Sequence, residues 1–300
     1  MMRKLPLIKI KDGKKHYLKI TGNQKAQHYI LMTTFLMLTI TGFPLKFHYY
    51  DWAPAIIDFF GGLHVTRTLH RIAGVTMCGL FFYHWYYLFK NIYNYYYGPA
   101  KRSGTFSWKE LLLFVYYSPM CPRAKDGKDI ADFVKFALFI SDDRPKHERF
   151  HWREKFDYWA VFWGIPVLGI TGVFLWFPVW AASFMPGWAV NISYIAHSDE
   201  AMLAVSVIFI WHMYNAHVNY DKFPASNLFI TGYLPENLMK HEYYVEWARI
   251  NKIVEKDPSY MLDVDAQQEA QKLEDEEKLE IIRDQISFLQ ESEKNDKGDK

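Results

Sequence analysis

The chain has 300 residues, a net charge of +2 and 18% aromatic residues. The small charge argues against a nucleic-acid-binding protein, and two cysteines, Cys78 and Cys121, cannot build a disulfide framework. The aromatic content fits a membrane interface instead, where amphipathic rings settle at headgroup level.

Residues 1–26 are Lys-rich and lack the apolar core of a cleavable signal in their first twenty positions. The first apolar segment follows, from His28 to Phe43 and extending to Phe47. Next comes a short aromatic connection, with Asp51 to Phe60 predicted as an interfacial helix offering a docking surface. The second apolar segment runs from His70 to Phe89. A polar loop over about 91–156 carries two amphipathic pieces, Phe106 to Tyr117 and Ile130 to Ile140, suited to the cytoplasmic interface. The third segment spans Tyr158 to Trp180, with a kink expected at Pro166, and the fourth spans Ala196 to Tyr214. A bilayer core needs about 20 apolar residues per helix, so all four are candidate spans. From 225 the chain turns polar. Asp263 to Lys300 is dominated by Glu, Asp, Lys and Gln and reads as a solvated helical tail. No internal repeat is evident.

Lysine and arginine crowd the stretch from Arg3 to Lys25 and the loop after the second segment. Only Lys46 and Arg67 stand between segments one and two, and none stands between Ala181 and Ile195. The positive-inside rule therefore puts both termini and the loop in the cytoplasm. The expected architecture is all-α: an integral membrane four-helix bundle over 27–224, a cytoplasmic loop, and a charged helical C-terminal tail over 225–300.

Ionisable residues in a membrane segment are costly and usually functional. His70 and His84 are fourteen residues apart, and His197 and His212 are fifteen apart. At 1.5 Å per residue either gap is about 21–22 Å, close to a bilayer core. At 100° per residue the partners sit about −40° and +60° apart round their helices, broadly on one side. Segments two and four run in the same direction, so His70 is level with His197 near the outer face and His84 with His212 near the inner face. Two levels of facing imidazoles suit haem, which takes axial histidines within a helical bundle. Zinc needs four ligands around one point and fits poorly. With no Cys-x-x-Cys-His, the haem would be b-type. Gly42 and Gly74 leave room for a macrocycle at the outer level. Asp199 and Glu200 stand near the expected start of segment four, where Asp199 would cap the helix. Cys78 reads as a small core residue.

Several stretches resemble the four-helix dihaem cytochrome b subunits that anchor formate dehydrogenases, nickel–iron hydrogenases and thiosulfate reductases. They are Gln27-His28, Thr41-Gly42-Phe43-Pro44, His70-Arg71-Ile72-Ala73-Gly74, Glu154 to Trp159, His197 to Ala201, and Trp211 to His217. The resemblance spans about Gln27 to Pro224. It implies a bacterial inner-membrane electron carrier with two b haems and a menaquinone or ubiquinone site. The implied partner is a periplasmic multihaem cytochrome c, an iron–sulfur protein or a molybdenum enzyme subunit. It also implies His70 and His197 as outer ligands, and His28 and His212 as inner ones. The fourteen-and-fifteen spacing, shared with cytochrome b of bc-type complexes, favours His84 with His212 instead, so His28 and His84 both remain open. His28, His84, His212 and His217 exceed the needs of one inner haem. Either a third haem uses all four, or a spare such as His217 serves the quinone. Arg71 and Arg67 are placed to pair haem propionates. Arg153, Glu154 and Lys155 stand at the inner mouth of segment three, suited to propionates or proton transfer. The rival functions are a transporter subunit and a membrane anchor without redox role. The segment interiors offer no continuous polar pore for the first.

Overall fold

The computed structural model describes residues 5–142, 145–219, 222–223 and 225–273. In chain order these form β1 (Ile8–Lys11), β2 (Lys14–Leu18), α1 (Gly22–Lys46), α2 (Trp52–Phe59) and α3 (Leu63–Ile92). Then come α4 (Gly98–Arg102), α5 (Trp108–Tyr116), α6 (Ala124–Ala137), α7 (Trp152–Trp176), α8 (Pro178–Ala182) and α9 (Trp188–Ser206). After α9 follow α10 (Leu228–Thr231), β3 (Tyr233–Pro235), α11 (Glu236–Glu242), α12 (Tyr244–Lys256) and β4 (Met261–Asp263). The tail expected to reach Lys300 lies outside the described residues beyond 273.

Among the described residues, three helices are long and apolar enough to cross a membrane: Gly22–Lys46, Trp152–Trp176 and Trp188–Val218. Helix α3 is as long, at 30 residues. Its Arg67, His70, Arg71, His84 and interfacial Tyr and Trp rings make it less apolar. Helix α1 packs along α3 and α7 along α9, while α3 touches α7 and α1 touches α9. Helix α1 starts at a capping box, in which the Gln24 amide N–H donates to Thr21 Oγ1 and Gln24 Oε1 accepts from the Thr21 N–H. Helix α7 is capped in a similar way: the His151 N–H donates to the Glu154 carboxylate, and His151 Nδ1 accepts from the Arg153 N–H.

The helix that carries the fourth apolar segment begins at Trp188 rather than Ala196, because Trp188 to Ile195 continues the helix despite Asn191 and Ser193. Asp199 is therefore mid-helix. It does not cap; it accepts from Lys46 Nζ of α1 at 3.0 Å. Past Ser206 the helix widens into π-turns over Val207–His212 and Tyr214–Val218.

The all-α expectation needs one correction. A four-stranded sheet in the order β3-β2-β1-β4 joins the residues before α1 to those after α9. β1 and β2 form an antiparallel hairpin through Asp12 and Gly13, both with positive φ. Asp-Gly is a favoured pair for such a turn. β3 pairs antiparallel with β2, and β4 runs parallel to β1. Beneath the sheet, Ile8, Tyr17, Leu234, Met239, Tyr243 and Ile250 form a buried apolar core. The residues before α1 and those after α9 thus build one cap on the helices.

Lys19 anchors that cap to α7. It is fully buried, donates to the Arg149 carbonyl, pairs with Glu154 at 3.3 Å and lies 3.3 Å over the Tyr243 ring. Burial pulls its ammonium from an ordinary 10.5 down to about 8. Burial likewise holds the His151 imidazole near 3 rather than 6.5. A group that binds protons less readily in the fold than in the open chain adds stability as pH rises between its two values. The cap should therefore strengthen from about pH 3 to 6.5 as His151 ceases to favour the open chain. It should strengthen again from about pH 8 to 10 through Lys19. Above pH 10 the trend reverses, because burial holds the Tyr243 phenol well above its usual value. Hydrogen-exchange protection factors for β1 and β2 measure this directly, and a flat profile across both windows contradicts it.

Candidate functional site

The histidines fall at two levels. At the outer level, His70 of α3 and His197 of α9 face each other with ring centres 6.3 Å apart. Each is seated by a Thr-Gly pair. His70 Nδ1 lies 2.9 Å from Thr41 Oγ1, and His197 Nδ1 lies 3.1 Å from Thr171 Oγ1 and 3.0 Å from the Leu168 carbonyl. A Cβ added at Gly42 would stand 3.1 Å from His70 Cε1, and one at Gly172 would stand 3.2 Å from His197 Cε1. The missing side chains are what let both rings lie against the neighbouring helix.

At the inner level, His28 of α1 and His212 in the π-turn after α9 also stand with ring centres 6.3 Å apart. His212 Nδ1 is 2.9 Å from Asp157 Oδ2 of α7. His28 is held differently: its Nδ1 has no partner, and Phe229 of α10 stacks on its ring at 3.7 Å. His84 is not part of this pair. Its Nδ1 is 2.7 Å from Gln27 Oε1 and its Nε2 is 2.9 Å from the Tyr158 hydroxyl, so protein groups take both nitrogens. Near the inner end, His28 Nδ1, His217 Nδ1, Asp157 Oδ1, Trp211 Nε1 and Arg153 Nε are buried without a hydrogen-bond partner among the described residues.

The donor set fits b-type haem. An imidazole nitrogen sits about 2 Å from a metal it ligates and about 1 Å from its own ring centre, so two axial rings on one iron have centres about 6 Å apart. Both observed pairs meet that spacing. In His70, His197 and His212 the Nδ1 is occupied by a neighbour, leaving Nε2 for ligation, as metal-bound histidines usually show. Among the described residues, no group of three or more His, Cys, Asp or Glu could hold a metal ion unaided. A two-imidazole site suits a metal whose equatorial ligands come with it.

The remaining expected residues are spread around these levels. Arg71 lies 5.0 Å over the Trp176 ring, and both line an open cavity of about 300 Å³ between α3 and α7. Arg67 is exposed one turn further out. Lys155 binds both oxygens of Asp126 on α6 at 2.8 Å, and Arg153 donates to Asn215 Oδ1 at 3.0 Å. Glu154 belongs to the cap through Lys19 and Tyr243. Sequence reasoning missed Thr171, Gly172 and Tyr158. The visible signal was Ile170-Thr171-Gly172, which repeats Ile40-Thr41-Gly42.

Comparison with known proteins identifies the family. The family model described as prokaryotic cytochrome b561 matches residues 21–220. The cytochrome b556(fdo) subunit of formate dehydrogenase from Escherichia coli strain K12 is 22% identical over 203 residues, covering 66% of this chain and 77% of that one. The same subunit from Escherichia coli O157:H7 matches to the same extent. Two thirds of the chain, including both facing histidine pairs, lie in the matched region, and the protein belongs to the prokaryotic cytochrome b561 family.

Proposed function

We propose that this chain is the membrane-embedded b-type cytochrome of a respiratory complex, moving electrons between a quinone or quinol at its inner end and a redox protein at its outer face. Two facing histidine pairs at equal spacing, one between α3 and α9 and the other between α1 and the π-turn after α9, carry this reading. Helices α1, α3, α7 and α9 are the four spans. The lysine and arginine bias puts both termini, and hence the cap, on the cytoplasmic side. His70 and His197 hold the outer haem, and His28 and His212 hold the inner one. His84, with both nitrogens engaged, is a hydrogen-bonding post between α1, α3 and α7. That supports two haems rather than three. A haem held by each pair would supply one-electron transfer at that level. Arg71 and Arg67 are positioned for propionates at the outer level.

Quinone chemistry also requires protons, and the inner end offers groups for them. His217 Nδ1 and Asp157 Oδ1 are buried without protein partners, fitting a bound headgroup that accepts a hydrogen bond or exchanges a proton. Menaquinone and ubiquinone both present the carbonyl this needs. The outer partner is a periplasmic multihaem cytochrome c, an iron–sulfur protein or a molybdenum enzyme subunit. The Escherichia coli relative is named as the cytochrome subunit of a formate dehydrogenase, which fits an assembly with a redox enzyme. The test is a reduced-minus-oxidised visible spectrum of membranes carrying the full chain. A b-type α band with two haems per chain by pyridine haemochrome is expected, and its absence with haem supplied overturns the reading.

A further inference from the structure

The contacts at the two levels repeat along the chain. Ile170, Thr171 and Gly172 stand 130 residues after Ile40, Thr41 and Gly42 (171 − 41), and Leu168 and Leu175 follow Leu38 and Leu45 at the same offset. The chemistry repeats with them. Thr41 Oγ1 donates to the carbonyl four residues back, Met37 O, at 2.6 Å, and Thr171 Oγ1 donates to Val167 O at 2.6 Å. A hydroxyl has one proton, so each is left as an acceptor toward the Nδ1–H of His70 or His197. The same ring proton reaches the Leu38 carbonyl in the first case and the Leu168 carbonyl in the second.

The offset also holds at the inner level. It carries Gln27 to Asp157, and these hold the Nδ1 of His84 at 2.7 Å and of His212 at 2.9 Å. It carries His28 to Tyr158, which face His212 and His84 respectively. The α1–α3 hairpin and the α7–α9 hairpin thus make the same set of contacts, with tyrosine in one copy where histidine stands in the other.

We infer that the bundle is an internal duplication of one ligand-seating hairpin, in which Thr41 and Thr171 are equivalent positioning residues for His70 and His197. Each hydroxyl fixes the tautomer that presents Nε2 to the partner ring and strengthens that nitrogen as a donor by accepting the Nδ1 proton. The inference rests on the outer haem proposed above and concerns what orients its ligands.

Spectroelectrochemical titration of the purified full-length protein tests it, using Thr41→Val, Thr171→Val and the double variant. Valine keeps the shape and removes the hydroxyl acceptor, leaving the Leu38 or Leu168 carbonyl alone to take the ring proton. Each single variant should raise the outer haem's potential by a similar step. The expected step is a threefold to tenfold change in the one-electron equilibrium, at most about 59 mV. The double variant should show the sum, with the inner haem unmoved. Thr41→Ser and Thr171→Ser should return the unsubstituted potential. If valine empties the outer site, serine variants that keep the haem at its native potential still support the inference, and serine variants equally impaired overturn it. A shift in only one copy, or in neither, also overturns it. Failure of the haem reading looks different, since the unsubstituted protein would then lack a b-type spectrum altogether.

Discussion

Alanine at His28 is expected to halve the haem content, from two per chain to one, while alanine at His84 leaves two. The two residues sit at the same depth, and spacing alone does not separate them. Their surroundings do. His28 faces His212 at 6.3 Å with its Nδ1 unpartnered, whereas His84 has Gln27 on one nitrogen and Tyr158 on the other. Loss of an axial imidazole removes a bond the site cannot replace, because no other histidine faces His212 at that distance. Loss of His84 leaves Gln27 and Tyr158 short of a partner, which costs about 1–3 kcal/mol of stability without touching the iron. Pyridine haemochrome quantitation on the two variants decides between them. An inner haem that survives His28→Ala and disappears in His84→Ala reverses the assignment.

The second large effect concerns two glycines. Gly42→Ala and Gly172→Ala should each weaken outer-haem binding by about tenfold to a hundredfold, since overpacking a close contact costs about 1–3 kcal/mol. The added methyl would meet Cε1 of His70 at 3.1 Å or of His197 at 3.2 Å, forcing the ring away from its partner. The haem-free protein should respond in the opposite sense, because alanine in a helix interior is favoured over glycine by about 1 kcal/mol. Gly79 is the control. It lies in α3 with nothing within 4 Å of an added Cβ, so its alanine variant should leave haem affinity unchanged. Haem titration of the apoprotein, followed by the Soret band, measures all three. Equal affinities across them would show that the glycines do not set the ring positions.

Much of this site is written in residue spacing. The fourteen- and fifteen-residue gaps place imidazoles at two depths because a helix rises by a fixed step, and no packing detail is needed to see it. The outer pair is correspondingly legible. The inner partner is not, since choosing between His28 and His84 depends on which side chains fill the other ring nitrogens. The sheet was hidden for another reason. β1 and β2 read Ile-Lys-Ile-Lys and Lys-Lys-His-Tyr-Leu, short and lysine-rich, and their partners β3 and β4 lie more than 200 residues away. Only Asp12-Gly13 announced a hairpin locally. The start of α9 was misplaced because Asn191 and Ser193 read as a loop, although Ser193 Oγ satisfies itself on the Ala189 carbonyl inside the helix. The duplication escaped notice because its copies share few identities, and the most telling position has exchanged histidine for Tyr158.

The π-turn over Val207–His212 bears on that ancestry. A π-turn accommodates one residue more than an α-turn for the same rotation. His197 and His212, fifteen apart with that turn between them, therefore keep the angular relation that His70 and His84 hold at fourteen. The wide turn has the form of a healed insertion, in which one copy gained a residue and the helix bulged rather than let its ligand swing out of register. Chain length in α9 is then negotiable by one residue next to the inner site. The same change between His70 and His84 would turn His84 by about 100°, with no bulge to absorb it.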